Sequence, residues 1–214
     1  MFITQRVSSV TTSILYESHQ ISKQESEIYT YLFSYICNQL LFTTAFILFA
    51  IIVHRLPVCL LFLLFFYFLR SFSGGWHAST PMSCMILSIF CYLLCIYIVP
   101  FMHSYPLIVC SCWIISMICL FLYAPADTRH RPISQTRRVY LKKRAHIVYV
   151  CIILIYTIAF LLNWYILLTT LSFCVTITAV GVIISKIQNK KENAYAAASR
   201  NLYFTYYKIG RAHV

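Results

Sequence analysis

The stretch from Arg70 to Cys84, RSFSGGWHASTPMSC, sets a histidine and a cysteine seven residues apart between two apolar runs. Those residue types can support nucleophilic catalysis. A cysteine attacks as its thiolate, and a free thiol is mostly protonated at neutral pH. Two features of the stretch favour the ionised form. Thr80 followed by Pro81 reads as a helix start, with threonine as N-cap and proline at the first helical position. Cys84 then falls in the first turn, near the positive end of the helix dipole. The second feature is His77, whose imidazole can take the thiol proton and later give it to a leaving amine. Geometry sets a condition. In one continuous helix residues 77 and 84 would stand about 10.5 Å apart along the axis, too far for a hydrogen bond. Gly74, Gly75 and Pro81 relax or break helical geometry and let the backbone turn back. The glycines also leave room for a peptide to approach the main chain.

Spacing alone leaves other readings open. His77 also fits an interfacial polar residue, and Cys84 one more packing cysteine. A metal site is the sharper rival, because Cys91 and Cys95 follow on the helical face of Cys84. Along a helix, however, Cys84 and Cys95 stand about 16.5 Å apart. Zinc holds its thiolates at about 2.3 Å, so one ion cannot bridge them, and core packing is the better account of that stripe.

The elements that must position these residues are hydrophobic helices. Of 214 residues, 61% are hydrophobic and 10% charged, whereas a soluble domain carries roughly a quarter charged residues. The expected fold is therefore an all-α integral membrane protein, a single domain over residues 1–207. Ile28 to Val53 is uncharged and long enough to span. Leu56 to Leu69 has only fourteen residues, about 21 Å as a helix, so Arg55 and Arg70 must snorkel or the bilayer thin there. Cys84 to Met102 and Pro106 to Tyr123 are separated by the break at His103 to Tyr105. Ile147 to Ile184 is too long for one span and divides near Asn163 and Trp164. The expected count is six spans. Before them, Ile3, Val7, Val10 and Ile14 recur at helical spacing, which fits an amphipathic helix lying on the membrane surface; a partly disordered tail fits the same polarity. Gln5, Arg6, Ser8 and Ser9 interrupt the apolar core that a secretory signal requires. The ten cysteines lie mostly within apolar runs, where thiols behave as small hydrophobes rather than as a disulfide framework.

Charge sets the expected orientation. Arg129, Arg131, Arg137, Arg138, Lys142, Lys143 and Arg144 lie between spans four and five, against the single acid Asp127. Lys186, Lys190 and Lys191 follow span six. The positive-inside rule places both segments in the cytoplasm. Counting back, the 70–83 segment and the N-terminus are cytoplasmic too, while His54 to Leu56 and His103 to Tyr105 face outward.

Arg70, then SGGWHA with Cys84 seven residues after its histidine, resembles the motif of the accessory gene regulator B (AgrB) family, membrane cysteine endopeptidases of Gram-positive quorum sensing. YAPADTRHRPI, Tyr123 to Ile133, resembles that family's second signature, and the likeness covers residues 1 to about 200. The resemblance implies a substrate: a small AgrD-like propeptide, cut on the C-terminal side of its future ring. It implies Cys84 as nucleophile and His77 as general base and acid. An acyl intermediate on the cysteine would then be attacked by a thiol or hydroxyl of the peptide, closing a thiolactone or lactone. Asp127 could orient the imidazole as a third group; an aspartate there also suits a turn cap or a pair with Arg129 or Arg131.

The reading calls for no cofactor, no metal and no nucleic acid. Its partners are the propeptide and anionic lipid headgroups at the basic segment, with room for a homodimer. The alternative function is a non-proteolytic transporter or scaffold for a small peptide. Ion-coupled transport is disfavoured, because the runs 28–53, 84–102 and 147–184 carry no charged residue. The last seven residues, KIGRAHV from Lys208, match the in-frame translation of a sequencing adapter. They are expected to be a scar, and without them the net charge falls from +12 to +10.

Overall fold

The computed structural model describes residues 2–18, 22–75, 81–126 and 135–211. It is built from helices: α1 (Phe2–Glu17), α2 (Lys23–Ile52), α3 (Leu56–Ser73), α4 (Pro81–Met102), α5 (Pro106–Tyr123), α6 (Gln135–Leu161) and α7 (Tyr165–Arg211). Among the described residues six segments are long and apolar enough to cross a membrane: Glu25–Ile52, Leu56–Ser73, Ser83–Met102, Pro106–Tyr123, Arg138–Leu161 and Tyr165–Lys191. The expected all-α membrane architecture and its six spans are thus observed. Two details differ from the sequence reading. The second span runs on through Arg70 to Ser73, eighteen residues instead of fourteen, because a helix does not stop where its apolar run does. Arg138, Lys142, Lys143 and Arg144 do not precede the fifth spanning helix but ride on the first turns of α6, while Arg129 and Arg131 lie outside the described residues.

The chain divides into two compact units, Met1–Leu56 and Pro57–Val214. In the first, α1 packs on α2 through small hydroxylated residues. Ser8 and Thr12 are buried, and Thr12 Oγ1 donates to the Ser8 carbonyl at 2.8 Å. The stripe of Val7, Val10 and Ile14 is left exposed, as an apolar face turned to lipid would be. Ser22 and Glu25 form a capping box at the start of α2: the Ser22 amide donates to Glu25 Oε2 at 2.8 Å, and the Glu25 amide to Ser22 Oγ at 3.4 Å.

In the second unit α7 is the central helix. Of its spanning segment 67% is buried, against 22–28% for those of α3 to α6. Lipid supplies no hydrophobic force between helices, so close packing and internal hydrogen bonds must hold them. Phe62 of α3 meets Tyr92 of α4 and Phe173 of α7, ring centroids 6.1 and 6.4 Å apart. Ser116 of α5 donates to Thr176 of α7 at 3.2 Å. Ser172 of α7 donates to Tyr156 of α6 at 3.4 Å, and Trp113 of α5 stacks on that tyrosine at 4.0 Å. Other hydroxyls turn back onto their own helix, as when Thr178 donates to the Cys174 carbonyl at 2.7 Å. Large apolar side chains such as Leu64, Phe101, Leu107, Leu122 and Leu154 remain exposed, which is the lipid-facing surface a spanning bundle needs.

The boundary between α6 and α7 falls where the sequence indicated. Leu161 ends one helix and Tyr165 begins the next. Asn163 between them adopts φ +52°, a left-handed conformation that asparagine tolerates better than most side chains.

Candidate active site

The candidate site is organised by the end of α3. The Gly74 amide donates to the Arg70 carbonyl at 3.2 Å, closing the last turn. Gly74 and Gly75 then take φ +66° and +118°, values that L side chains rarely adopt. The helix stops there, as the glycine pair predicts. The pairing made by the freed backbone is not predicted by any local pattern. Gly74 forms a parallel β-bridge with Ala126: the Ala126 amide donates to the Ser73 carbonyl at 3.0 Å, and the Gly75 amide to the Ala126 carbonyl at 3.4 Å. This bridge joins the first sequence motif, SGGWHA, to the second, YAPADTRHRPI.

Both glycines are needed for that approach. A Cβ on Gly74 would run into the Ala126 carbonyl oxygen. One on Gly75 would stand 3.3 Å from the Gly181 carbonyl carbon and 3.4 Å from the Val182 amide nitrogen, closer than α7 readily accepts. The main chain brought near the glycines is the protein's own. Gly181 also leaves space for Arg70, whose Nη1 would be 4.0 Å from an added Cβ. The Arg70 guanidinium sits 5.7 Å from the centroid of the Phe66 ring, in the last turn of α3, where a cation suits the helix dipole.

Ser73 anchors the same turn from below. Its side chain is fully buried, and its Oγ lies 2.7 Å from Tyr149 Oη of α6. Tyr149 is 1% exposed. Phe121 of α5 meets its ring edge-on at 5.3 Å and stacks on His146 at 5.3 Å. Three elements therefore reach residues 70–75, α6 through Tyr149, α7 through Gly181 and the 124–126 segment through the bridge, while α5 backs Tyr149 through Phe121.

Of the residues singled out by sequence, Cys84 is described and half-buried. It lies in the first turn of α4, which starts at Pro81 as expected, and Ser88 Oγ donates to its carbonyl at 2.9 Å. The amides of that turn have no intrahelical acceptor and carry the positive end of the dipole. His77, Thr80 and Asp127 lie outside the described residues. Cys91 and Cys95 are buried further along α4, as a packing role requires. All ten cysteines are free thiols. Among the described residues no three His, Cys, Asp or Glu side chains gather as metal ligands.

Sequence reasoning missed Tyr149, which no local pattern marks; Ala126 falls within the second motif, but its pairing with Gly74 has no local signal. Gly181 did carry a signal: an isolated glycine within an apolar span weakens the helix and so points to a close approach.

The sequence model of accessory gene regulator B matches residues 8–188. The accessory gene regulator protein B of Staphylococcus saprophyticus is 31% identical over 91 residues, 42% of this chain and 46% of that protein. The aligned part thus spans about half the length of the curated relative. No solved structure matches the chain significantly. The motif pair joined by the Gly74–Ala126 bridge, the six spans and the extent of the family match agree, and the chain belongs to the accessory gene regulator B family.

Proposed function

We propose that this chain is a membrane cysteine endopeptidase that processes a quorum-sensing propeptide of the AgrD type. Cys84 is the nucleophile and His77 its general base and acid. The thiolate attacks the carbonyl on the C-terminal side of the future ring, and the C–N bond breaks as His77 protonates the departing amine. The truncated peptide is left as a thioester on Cys84. A thiol or hydroxyl within that peptide then displaces the enzyme thiol, closing a thiolactone or lactone and returning Cys84. No oxidant or reductant is needed.

The observation that carries the reading is the place of Cys84. It is half-buried in the first turn of α4, at the end of the bundle where the bridge ties the two motifs together. In sequence, Gly75 precedes His77 by two residues and Ala126 precedes Asp127 by one. Membership of the AgrB family supports the same reading. The cations of α6 and α7 favour a cytoplasmic site by the positive-inside rule, where a newly made propeptide is accessible. The test is incubation of membranes bearing the protein with a candidate propeptide of the AgrD type. Cleavage with a mass-detected thioester at Cys84 is expected. A propeptide left at full length by the wild-type protein, while bound to it, would point to the scaffold or transport reading.

A further inference from the structure

The Ser73–Tyr149 hydrogen bond links α6 directly to the turn that carries the first motif. Both groups are sealed from solvent, at 0% and 1% exposure. A buried hydroxyl that loses its partner cannot turn to water. The Ser73 carbonyl on the same residue accepts from the Ala126 amide at 3.0 Å. One residue therefore receives α6 through its side chain and the second motif through its main chain. The Tyr149 ring is held by Phe121 at 5.3 Å and faces His146 at 6.3 Å, so its hydroxyl is aimed by packing rather than left to rotate.

We propose that Tyr149 is a positioning residue: its hydroxyl, through Ser73, fixes the Gly74–Ala126 bridge and thereby the register of the two motif segments that flank the chemistry. The proposal rests on the peptidase reading for what is positioned, not for the latch itself. Tyr149 is distant in sequence from both motifs, and its ring makes its contacts beneath the turn. It does no chemistry on substrate. Its effect falls on the rate of the chemical step, since small misplacements of a catalytic group are costly, and not on capture of the peptide.

Tyr149→Phe removes one oxygen and keeps the ring against Phe121 and His146; Ser73→Ala removes the other half of the bond. Each is measured in lipid nanodiscs in two ways. Hydrogen–deuterium exchange at the Gly75 and Ala126 amides should quicken in both variants while exchange in mid-helix stays unchanged. The kcat for propeptide cleavage should fall about ten- to a hundredfold with KM nearly constant. The double variant should be no worse than either single, because both remove the same interaction. Unchanged exchange at the two amides would overturn the proposal, as would faster exchange with normal kcat, or effects that multiply in the double variant. Cys84→Ala, run in parallel, tests the cysteine reading separately. Cleavage surviving there removes that reading, and the exchange data still decide the latch.

Discussion

At the residue scale, the chemistry and the architecture make different demands on neighbouring side chains. Cys84→Ala should abolish cleavage without loss of inserted protein, and Cys84→Ser should be nearly as inactive, because a hydroxyl is far harder to ionise than a thiol. Normal processing by the alanine variant at normal expression would end the mechanism. Cys95→Ser is the contrasting case. That side chain is fully buried, so a serine there should lower stability by about 1–3 kcal/mol while leaving turnover per folded molecule unchanged. The glycines separate in a similar way. Gly74→Ala forces a side chain into φ +66° against the Ala126 carbonyl, and left-handed backbone alone costs roughly 1–2 kcal/mol in an L residue. It should lower the thermal midpoint in detergent and reduce cleavage together. Gly181→Ala adds a methyl whose nearest contact among the described residues is Arg70, at 4.0 Å, and should be tolerated. Equal loss in both variants would show that the bridge is not what the Gly74 glycine serves.

At the element scale, most of the helices were legible because lipid imposes them. An uncharged run such as 28–53 can satisfy its backbone in a membrane only as a helix, and a break such as His103 to Pro106 is visible as a loss of apolar character. The edges were less legible. The apolar run of span two ends at Leu69, but the helix continues to Ser73 because nothing before Gly74 breaks it. The cations from Arg138 to Arg144 read as lying between two spans because they interrupt the apolar run, yet they begin α6. Site anatomy was half legible: the Cys84 turn and the glycine break followed from local residue types, whereas Ala126 and Tyr149 reach the site only through long-range packing that no spacing encodes. The helical cations have a consequence for binding. Lys142, Lys143 and Arg144 are exposed, and Arg144 lies 4.5 Å from the Tyr140 ring centroid, a basic and aromatic pairing suited to a membrane edge. If that face also draws in a propeptide carrying acidic residues, Lys142→Gln with Lys143→Gln should raise KM at low ionic strength, and the difference should shrink at high salt. Cleavage kinetics indifferent to both changes would leave the cations with orientation and lipid contact alone.

At the scale of the whole molecule, the orientation of the bundle decides which compartment meets the reaction. The +12 net charge is not spread evenly. Arg138, Lys142, Lys143 and Arg144 gather at the start of α6, and Lys186, Lys190 and Lys191 beyond the apolar part of α7, while the turn at His103 to Tyr105 has no lysine or arginine. Cations resist transfer across the bilayer, so the richly basic end is expected on the side of synthesis. Gly74 and Ala126 follow the ends of α3 and α5, at the bundle end where the basic start of α6 follows, so the proposed site should share its compartment. Thiol labelling in intact cells checks this. Ser73 would be a poor reporter because it is buried against Tyr149, but Ser71, Ser104 and Thr136 are exposed. Against the wild-type background, Ser104→Cys should react with an impermeant maleimide applied outside. Ser71→Cys and Thr136→Cys should react only after the cells are opened. External labelling at Ser71 with none at Ser104 would invert the bundle, put Cys84 outside, and deny it a propeptide that has not yet left the cytoplasm.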